Sequence, residues 1–557
     1  MGPRAILVLS LALAFGSPGA AAALPETGAT YSRTSAPLAD STWLDSDTYP
    51  IAQPADWEPG LWGYYLRECV FGPLEHAFDI PDKLLFAGRA FGARTRREAV
   101  DVNAFDEVPN STWFTNRNHV RSVPASQLAL GPDSTSLPAK PWTIKHAKHG
   151  GETAGFQIKD ADGGKWLVKL DPRGYPQLSS GADMVARTLL HAAGYNVPHN
   201  ECVRFHRSDL RIDPDLARGA KGERLTEANL DSLLQRGAVF EDGSYSAIGS
   251  LFLSGHSLGS PSSRQRRPGD ANDWYSHVNR RELRGLYVLF SWLGFWDTKD
   301  ANYLDTFVAT RDSSGHVEHY LLDVGSSFGA QANGPKALWQ GYEKFVDVGW
   351  ITRRVVTLGF AVEPWRRAHQ ETGIPSVGNF ESTVYEPEKF TEWDNPVFRE
   401  MTDRDGYWGA KLVASFSDAQ IAAAVDAAHY DDPRAREYLV RNLIQRRDKI
   451  ARHWFGRVAP LDFFAVEDEA LRFHDLGEDI GIAGARGYDA EIESSGGGRR
   501  ARERLHLERA QVPLPDRASG RSRLSIEVGI AGDRARSTHV ELVRRNDAWI
   551  VTRVRHG

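Results

Sequence analysis

The chain has 557 residues, 41% of them hydrophobic and 10% aromatic, with a formal net charge of −6. That supplies apolar material for one large core or several smaller ones, and it excludes a disordered or low-complexity polypeptide. The balance of charge also argues against a dedicated nucleic-acid binder, whose surface would be strongly basic.

The first residues, MGPRAILVLSLALAFGSPGAAAALPETG, carry one cation at Arg4, an apolar run from Ala5 to Phe15 and an alanine-rich exit at Ala20 to Ala23. This is the pattern of a secretory signal peptide over residues 1–23, too short to stay as a membrane anchor. An exported protein, periplasmic or extracellular, is expected. No cysteine follows the run, so a lipid anchor is not expected, and LPETG stands at the wrong end of the chain for a sorting signal. No later stretch is long and apolar enough to form a membrane span. Cys69 and Cys202 could form one disulfide in such a compartment, although their spacing does not require it.

Residues 24–135 form an N-terminal extension rich in Trp, Pro and Asn, in which DVNAFDEVPNSTWFTNRN (Asp101 to Asn118) reads as irregular, packed structure. From 136 to 205 the pattern predicts a small α+β lobe. Three strands are expected at Trp142–Ala147, Gly155–Lys159 and Lys165–Leu170, with Asp162, Gly163 and Gly164 turning the last hairpin. A helix follows in SSGADMVARTLLHAAGYNVP, stopped at Gly194, and ECVRF returns to strand.

Residues 206–465 read as a helical lobe, the chain being mainly helical beyond Ala220. The run from His277 to Trp296 has a polar start and an apolar end, so its second half should be buried. Ser417 and Gln420 form a capping box. Asp432 caps a helix with Pro433 in its first turn, and Leu439, Leu443, Ile450 and Trp454 make its core stripe. Residues 466–557 read as a linker followed by a β-rich region. There RRARER is expected as a solvated linker face, and Asn546 with Asp547 as a hairpin turn.

Phosphoryl transfer needs a lysine on the nucleotide phosphates, a carboxylate orienting the acceptor hydroxyl, and oxygen ligands for a magnesium ion. Each part occurs in order. Lys169 lies in WLVKL on the third strand, after a glycine-bearing turn. Asp183 stands on the next helix, where a kinase has the glutamate that pairs with this lysine. In WLGFWDTKDANYLDTFV, Asp297 and Asn302 have the interval of a kinase catalytic loop, with Lys299 between them. Downstream, HYLLDVGSSFG ends a strand in Asp323, Val324 and Gly325, like the metal-binding turn of kinases. The intervening YLDTFVATRDSSGHVEHYLLD reads as a hairpin through Ser314 and Gly315 that returns Asp323 to Asn302.

Other chemistries fit less of the chain. GHSLG (Gly255 to Gly259) matches a hydrolase nucleophile elbow at Ser257, but the following SPSSRQRRPGDAND lacks the apolar face of the helix that an elbow needs. Asp160, Asp162 and Asp171 have partial calcium-loop spacing, with Lys165 where that loop requires glycine. Neither a paired-cysteine or HExxH zinc site nor a phosphate-binding P-loop is present.

The ordered motifs from Trp142 to Phe455 resemble the atypical kinases: the HipA-type, spore-coat and secretory-pathway kinases. DEVPNSTWFTNR, AAGYNVP, RRELRG and HYLLDVGSSFG also resemble a group of exported bacterial proteins with no assigned activity. The kinase resemblance implies ATP with Mg²⁺ or Mn²⁺, Lys169 and Asp183 at the nucleotide, Asp297 and Lys299 in catalysis, and Asn302 and Asp323 at the metal. It further implies an α+β, two-lobed protein-kinase-like fold, with a β-rich N-lobe, a helical C-lobe, the N-terminal extension and a small β-rich C-terminal appendage. The implied partners are a nucleotide and a hydroxyl acceptor, on protein or on a small molecule. An inactive pseudokinase that only binds nucleotide or protein, a nucleotidyl transferase, and a serine hydrolase using Ser257 are the alternatives.

Overall fold

The computed structural model describes residues 47–57 and 96–557, apart from 133–136, 149–151, 215–216, 220–221, 311–312, 344–347, 368–371, 394, 497–498, 516–519 and 534. The expected leader and Cys69 lie outside the described residues. Cys202 has no disulfide partner among the described residues. No described helix is long and apolar enough to cross a membrane.

Strand β1 is the two-residue Ile51–Ala52. The expected strands follow at β2 (Trp142–Ala147), β3 (Gly155–Lys159) and β4 (Lys165–Leu170). Alternation puts Trp166, Val168 and Leu170 on one face of β4, buried with Phe156, Ile158 and Phe205. Each such side chain contributes about 1.5–3 kcal/mol on burial. Lys169 therefore lies on the opposite face. The β3–β4 turn closes at Gly163 (φ +93°), and the Asp160 carboxylate accepts from the N–H groups of Asp162 and Gly164 and from the Trp166 indole. That commits Asp160 to the hairpin.

Helix α1 (Leu178–Ala193) packs on this sheet and ends at Gly194, whose φ of +132° only glycine adopts readily. Its start is held by buried Asp171, which accepts from the N–H groups of Gln177, Ser179 and Ser180 and from the hydroxyls of Ser180 and Ser246. Strands β5 (Asn200–Phe205) and β6 (Leu210–Ile212), helix α2 (Glu227–Leu234) and strand β7 (Tyr245–Leu251) follow. The sheet order is β5-β7-β4-β3-β2-β6, with only β2–β6 parallel. The expectation of a mainly helical chain beyond Ala220 is thus corrected at β7. Its YSAIGSL fills the gap between β4 and β5, whose backbone groups would otherwise lack partners.

A second sheet of order β1-β10-β9-β8 contains β8 (His256–Gly259), β9 (Tyr303–Ala309) and β10 (Ser314–Leu321). Between β8 and β9 runs helix α3 (Arg281–Leu293). Its polar start is buried as fully as its apolar end, which the amphipathic reading did not foresee. Arg281 reaches Asp106 at 2.7 Å and Asp405 at 3.1 Å, while Arg284 reaches Asp405 at 3.0 Å. Buried charges persist where they are paired and hydrogen-bonded.

Helix α4 (Val348–Val356) precedes the final helical set, α5 (Asp403–Ala414), α6 (Asp418–Asp426) and α7 (Pro433–Trp454). Helices α3 and α5 cross at Gly285 and Gly409. A Cβ on Gly409 would lie 2.8 Å from the Gly285 carbonyl, so two glycines permit the contact. The capping box of Ser417 and Gln420 and the Asp432 cap both form, and Leu439, Leu443, Ile450 and Trp454 are buried.

The C-terminal region has its own core, including Phe473, Tyr488, Ile526 and Val540. In chain order its strands are β13 (Leu461–Glu467), β14 (Ala470–Asp475), β15 (Tyr488–Gly496), β16 (Arg499–Leu507), β17 (Gln511–Pro513), β18 (Arg523–Ile530), β19 (Thr538–Arg545) and β20 (Ala548–His556), β11 (Ala330–Gln331) and β12 (Gly334–Pro335) being a small earlier hairpin. Asn546 and Asp547, both at positive φ, turn β19 into β20. RRARER is corrected from linker to strand: it falls in β16, where Arg502 and Arg504 both pair with Glu491 on β15.

Candidate nucleotide and metal site

Two distant parts of the chain meet at Lys169. The β9–β10 hairpin sets Leu321 opposite Tyr303, and the Leu322 N–H donates to the Asn302 carbonyl at 2.7 Å. The next residue, Asp323, turns sharply, with φ +48°. A non-glycine residue there costs about 1 kcal/mol, a strain that functional turns often carry. Lys169 Nζ lies 2.8 Å from Asp323 Oδ1, the lysine being buried and the carboxylate 45% exposed. Gly325 presses the turn on α1: a Cβ there would stand 3.1 Å from the Ser179 carbonyl and 3.5 Å from Asp183 Oδ2.

Asp183 is buried on α1 beside this pair and interacts electrostatically with Lys169, while its Oδ1 accepts from Asn200 Nδ2 at 2.5 Å. The close ion pair of Lys169 is with Asp323. Burial raises the Asp183 carboxyl, and Lys169 and Asn200 only partly offset that. At Asp323 burial also opposes charge, but Lys169, Lys148 and Lys299 outweigh it and hold the carboxyl below its ordinary range. Desolvation disfavours the Lys169 ammonium, yet Asp323 and Asp183 reverse this and raise it. The lysine and Asp323 are therefore an ion pair at neutral pH.

Asp297 follows α3 and lies 2.9 Å from Lys299 Nζ through Oδ2. The buried Asn302 closes the same loop, its Nδ2 donating to the Asp297 carbonyl at 2.5 Å. From outside, the Thr298 hydroxyl donates to Glu392 at 2.7 Å, Asn395 Nδ2 donates to the Thr298 carbonyl at 3.1 Å, and the Trp296 and Trp393 rings meet edge to face at 4.8 Å. Lys299 reaches both carboxylates, one by contact and the other by its field. All six residues read from the sequence thus belong to one connected set.

Two hard oxygens of this set, Asp323 Oδ2 and Asn302 Oδ1, have no hydrogen bond among the described residues, where Asp323 Oδ1 and Asn302 Nδ2 are the atoms engaged. They stand on segments joined by the Leu322–Asn302 bond, and such donors fit Mg²⁺ or Mn²⁺, which take one or two protein ligands and complete their shell from phosphates and water. Among the described residues no group of three or more His, Cys, Asp or Glu surrounds a metal position.

Sequence reasoning passed over Lys148. It follows β2 in the glycine turn, hydrogen-bonds through its backbone to Gly155, and acts on Asp323 together with Lys169 and Lys299. Burial pulls its ammonium down, Asp323 pushes it up, and the sum is a lowered pKa. Its place in the glycine turn directly after β2 was the available signal; in the sheet its partner Gly155 on β3 stands opposite Lys169 on β4.

Ser257 takes no part. It lies exposed within β8, opposite Thr306, and no helix follows before the short turn at His277. Pro261 and Pro268 interrupt that stretch. The stretch SPSSRQRRPGDAND thus forms no elbow helix, as its sequence led one to expect, and the hydrolase alternative loses its support, because an elbow places its serine on a strand-to-helix turn.

No protein-family model matches this sequence, and neither does any curated protein. Solved structures similar to it include the Helicobacter pylori proinflammatory kinase CtkA, at 11% identity and a TM-score of 0.31, covering 57% of this chain and 98% of that one. The Golgi casein kinase with Mn/ADP bound matches at 10% identity and a TM-score of 0.29, covering 60% and 81%. A second structure of the Golgi casein kinase matches at 10% identity and a TM-score of 0.30, covering 74% and 95%. Likeness at this level transfers no chemistry, so the site stands on its own side chains.

Proposed function

We propose that this protein is an exported, two-lobed, kinase-like phosphotransferase that binds ATP with Mg²⁺ or Mn²⁺ and passes the γ-phosphoryl group to a hydroxyl acceptor. The carrying observation is the 2.8 Å contact between Lys169, on a central strand of the six-stranded sheet, and Asp323, at the turn leaving β10. A lysine and a carboxylate from separate sheets, with Lys148 and Lys299 near enough for their charges to act on the same carboxylate, form a site for phosphates and their cation.

In this reading Lys169 and Lys148 hold the phosphates, and Asp183 supports Lys169 through its field. Asp323 and Asn302 hold the divalent ion, which when bound neutralises charge on the β- and γ-phosphates. Asp297 accepts the proton of the acceptor hydroxyl, whose oxygen forms the new bond to phosphorus. The bond from the γ-phosphorus to its bridging oxygen breaks, and the nucleoside diphosphate leaves with the electron pair. Lys299, held against Asp297, is placed to meet charge on the moving phosphoryl group. Export rests on the leader-like residues 1–23.

Calorimetric titration with ADP and Mn²⁺ tests the site. Wild type should bind in a metal-dependent manner, and Asp323→Ala should reduce that affinity at least tenfold. Unchanged binding would remove Asp323 from the metal. Incubation with γ-labelled ATP then separates transfer from a pseudokinase, which binds nucleotide but labels no acceptor.

A further inference from the structure

On the side of the Asp297 loop that carries Thr298, Lys299 and Asp300 opens a cavity of about 340 Å³. Arg264, Arg266, Arg267, Arg399 and Lys299 line it together with Asp300, and two of these cations already have carboxylate partners behind the lining, Arg267 with Asp305 and Lys299 with Asp297. Trp57 and Trp393 add indole surface.

The arginine segment is built in, not loose. The Arg264 carbonyl accepts from the Ser276 hydroxyl at 2.6 Å, and the Arg267 N–H donates to Asp273 at 2.6 Å. Arg267 is buried, pairs with Asp305 at 2.7 Å, and has a buried Nε with no hydrogen-bond partner among the described residues. Arg264 and Arg266, between these anchors, are exposed. Like charges gathered in a concavity raise the local concentration of anions. A cavity of this volume is of small-molecule size.

Lys299 joins the cavity to the Asp297 carboxylate, 2.9 Å away. We infer that this cavity is the acceptor subsite, and that it takes a small hydroxyl compound carrying a phosphate or carboxylate, of the sugar-phosphate class. The inference rests on the kinase reading for the word acceptor, but not for the binding of the anion. The anion sits on the arginines, the carbon skeleton lies against the indoles, and a hydroxyl points to Asp297, which takes its proton as described above.

The full chain would be titrated with glucose 6-phosphate, glucose, inorganic phosphate, an acidic peptide and, separately, ADP with Mn²⁺. Wild type should bind glucose 6-phosphate at least tenfold more tightly than glucose or inorganic phosphate. The variant Arg266→Ala/Arg399→Ala should lose at least tenfold for glucose 6-phosphate while binding ADP–Mn within twofold of wild type, and Arg266→Lys/Arg399→Lys should recover part of the loss. Absence of glucose 6-phosphate binding in wild type, its insensitivity to both arginines, or tighter arginine-dependent binding of the acidic peptide would each overturn the inference. Arginine-dependent glucose 6-phosphate binding in a wild type that ignores ADP–Mn would support the anion cavity while ending the kinase reading.

Discussion

At Asp323 a left-handed backbone, a half-exposed carboxylate and three lysines converge. Four of the residues concerned, Lys169, Asp297, Asn302 and Asp323, were legible because each lies in a short local pattern whose spacing survives folding. Lys148 was not, since its charge comes within range of Asp323 only once β2 and β3 have paired. The Asp183 partner was also hidden: Asn200 lies beyond the end of α1 and reaches it only through the sheet. If Lys148 serves phosphate, Lys148→Ala should weaken ADP–Mn binding by about 1 kcal/mol, roughly fivefold, without shifting the thermal midpoint. The gap from wild type should narrow at high salt, where a partly exposed charge is screened. A salt-independent gap would point to a packing role instead.

Elements were read well where periodicity or capping is self-contained, as in β2 to β4, α1, α6 and α7. They were misread where another element decides. Strand β7 exists because β4 and β5 need a partner between them, and the Arg-rich β16 because Glu491 stands opposite. The charged start of α3 is buried because Asp106 and Asp405 arrive from elsewhere in the chain. The join from β4 to α1 rests on Asp171, whose carboxylate accepts five hydrogen bonds. Asp171→Ala should lower stability by about 3 kcal/mol, because it leaves several buried donors unsatisfied. Urea denaturation should show a lower midpoint at unchanged slope, with Asp171→Asn falling between the two. A shift under about 0.5 kcal/mol would mean that other contacts hold the start of α1.

Across the whole molecule, the C-terminal strand closes on residues near the described N-terminus. The Val554 N–H donates to the Ala104 carbonyl at 2.9 Å, and buried His556 lies 3.0 Å from Asp106 and 3.8 Å from Asp462. Asp462 also meets Lys411 at 2.8 Å. Burial alone would raise the Asp462 carboxyl, but Lys411 first and then His556 hold it at about 2. Its unfolded value is about 3.9. A carboxyl depressed by folding gives stability that is present above the unfolded value and lost as pH falls toward the folded one, here from about 4 to about 2. The amount is roughly 3 kcal/mol. Urea melts at pH 5 and pH 2.5 should therefore show a smaller acid loss in Asp462→Asn than in wild type, and equal losses would contradict the assignment.

By itself the sequence determined the local elements, the order of the charged motifs and the hairpin that returns Asp323 to Asn302, because backbone propensity and side-chain alternation act over a few residues. Tertiary structure alone decided that Asp323 is the close partner of Lys169, that Lys148 joins them, and that five cationic side chains share one cavity beside Asp297. Coulomb energies and burial depend on distances through space, and those are set only once separate sheets and helices have packed.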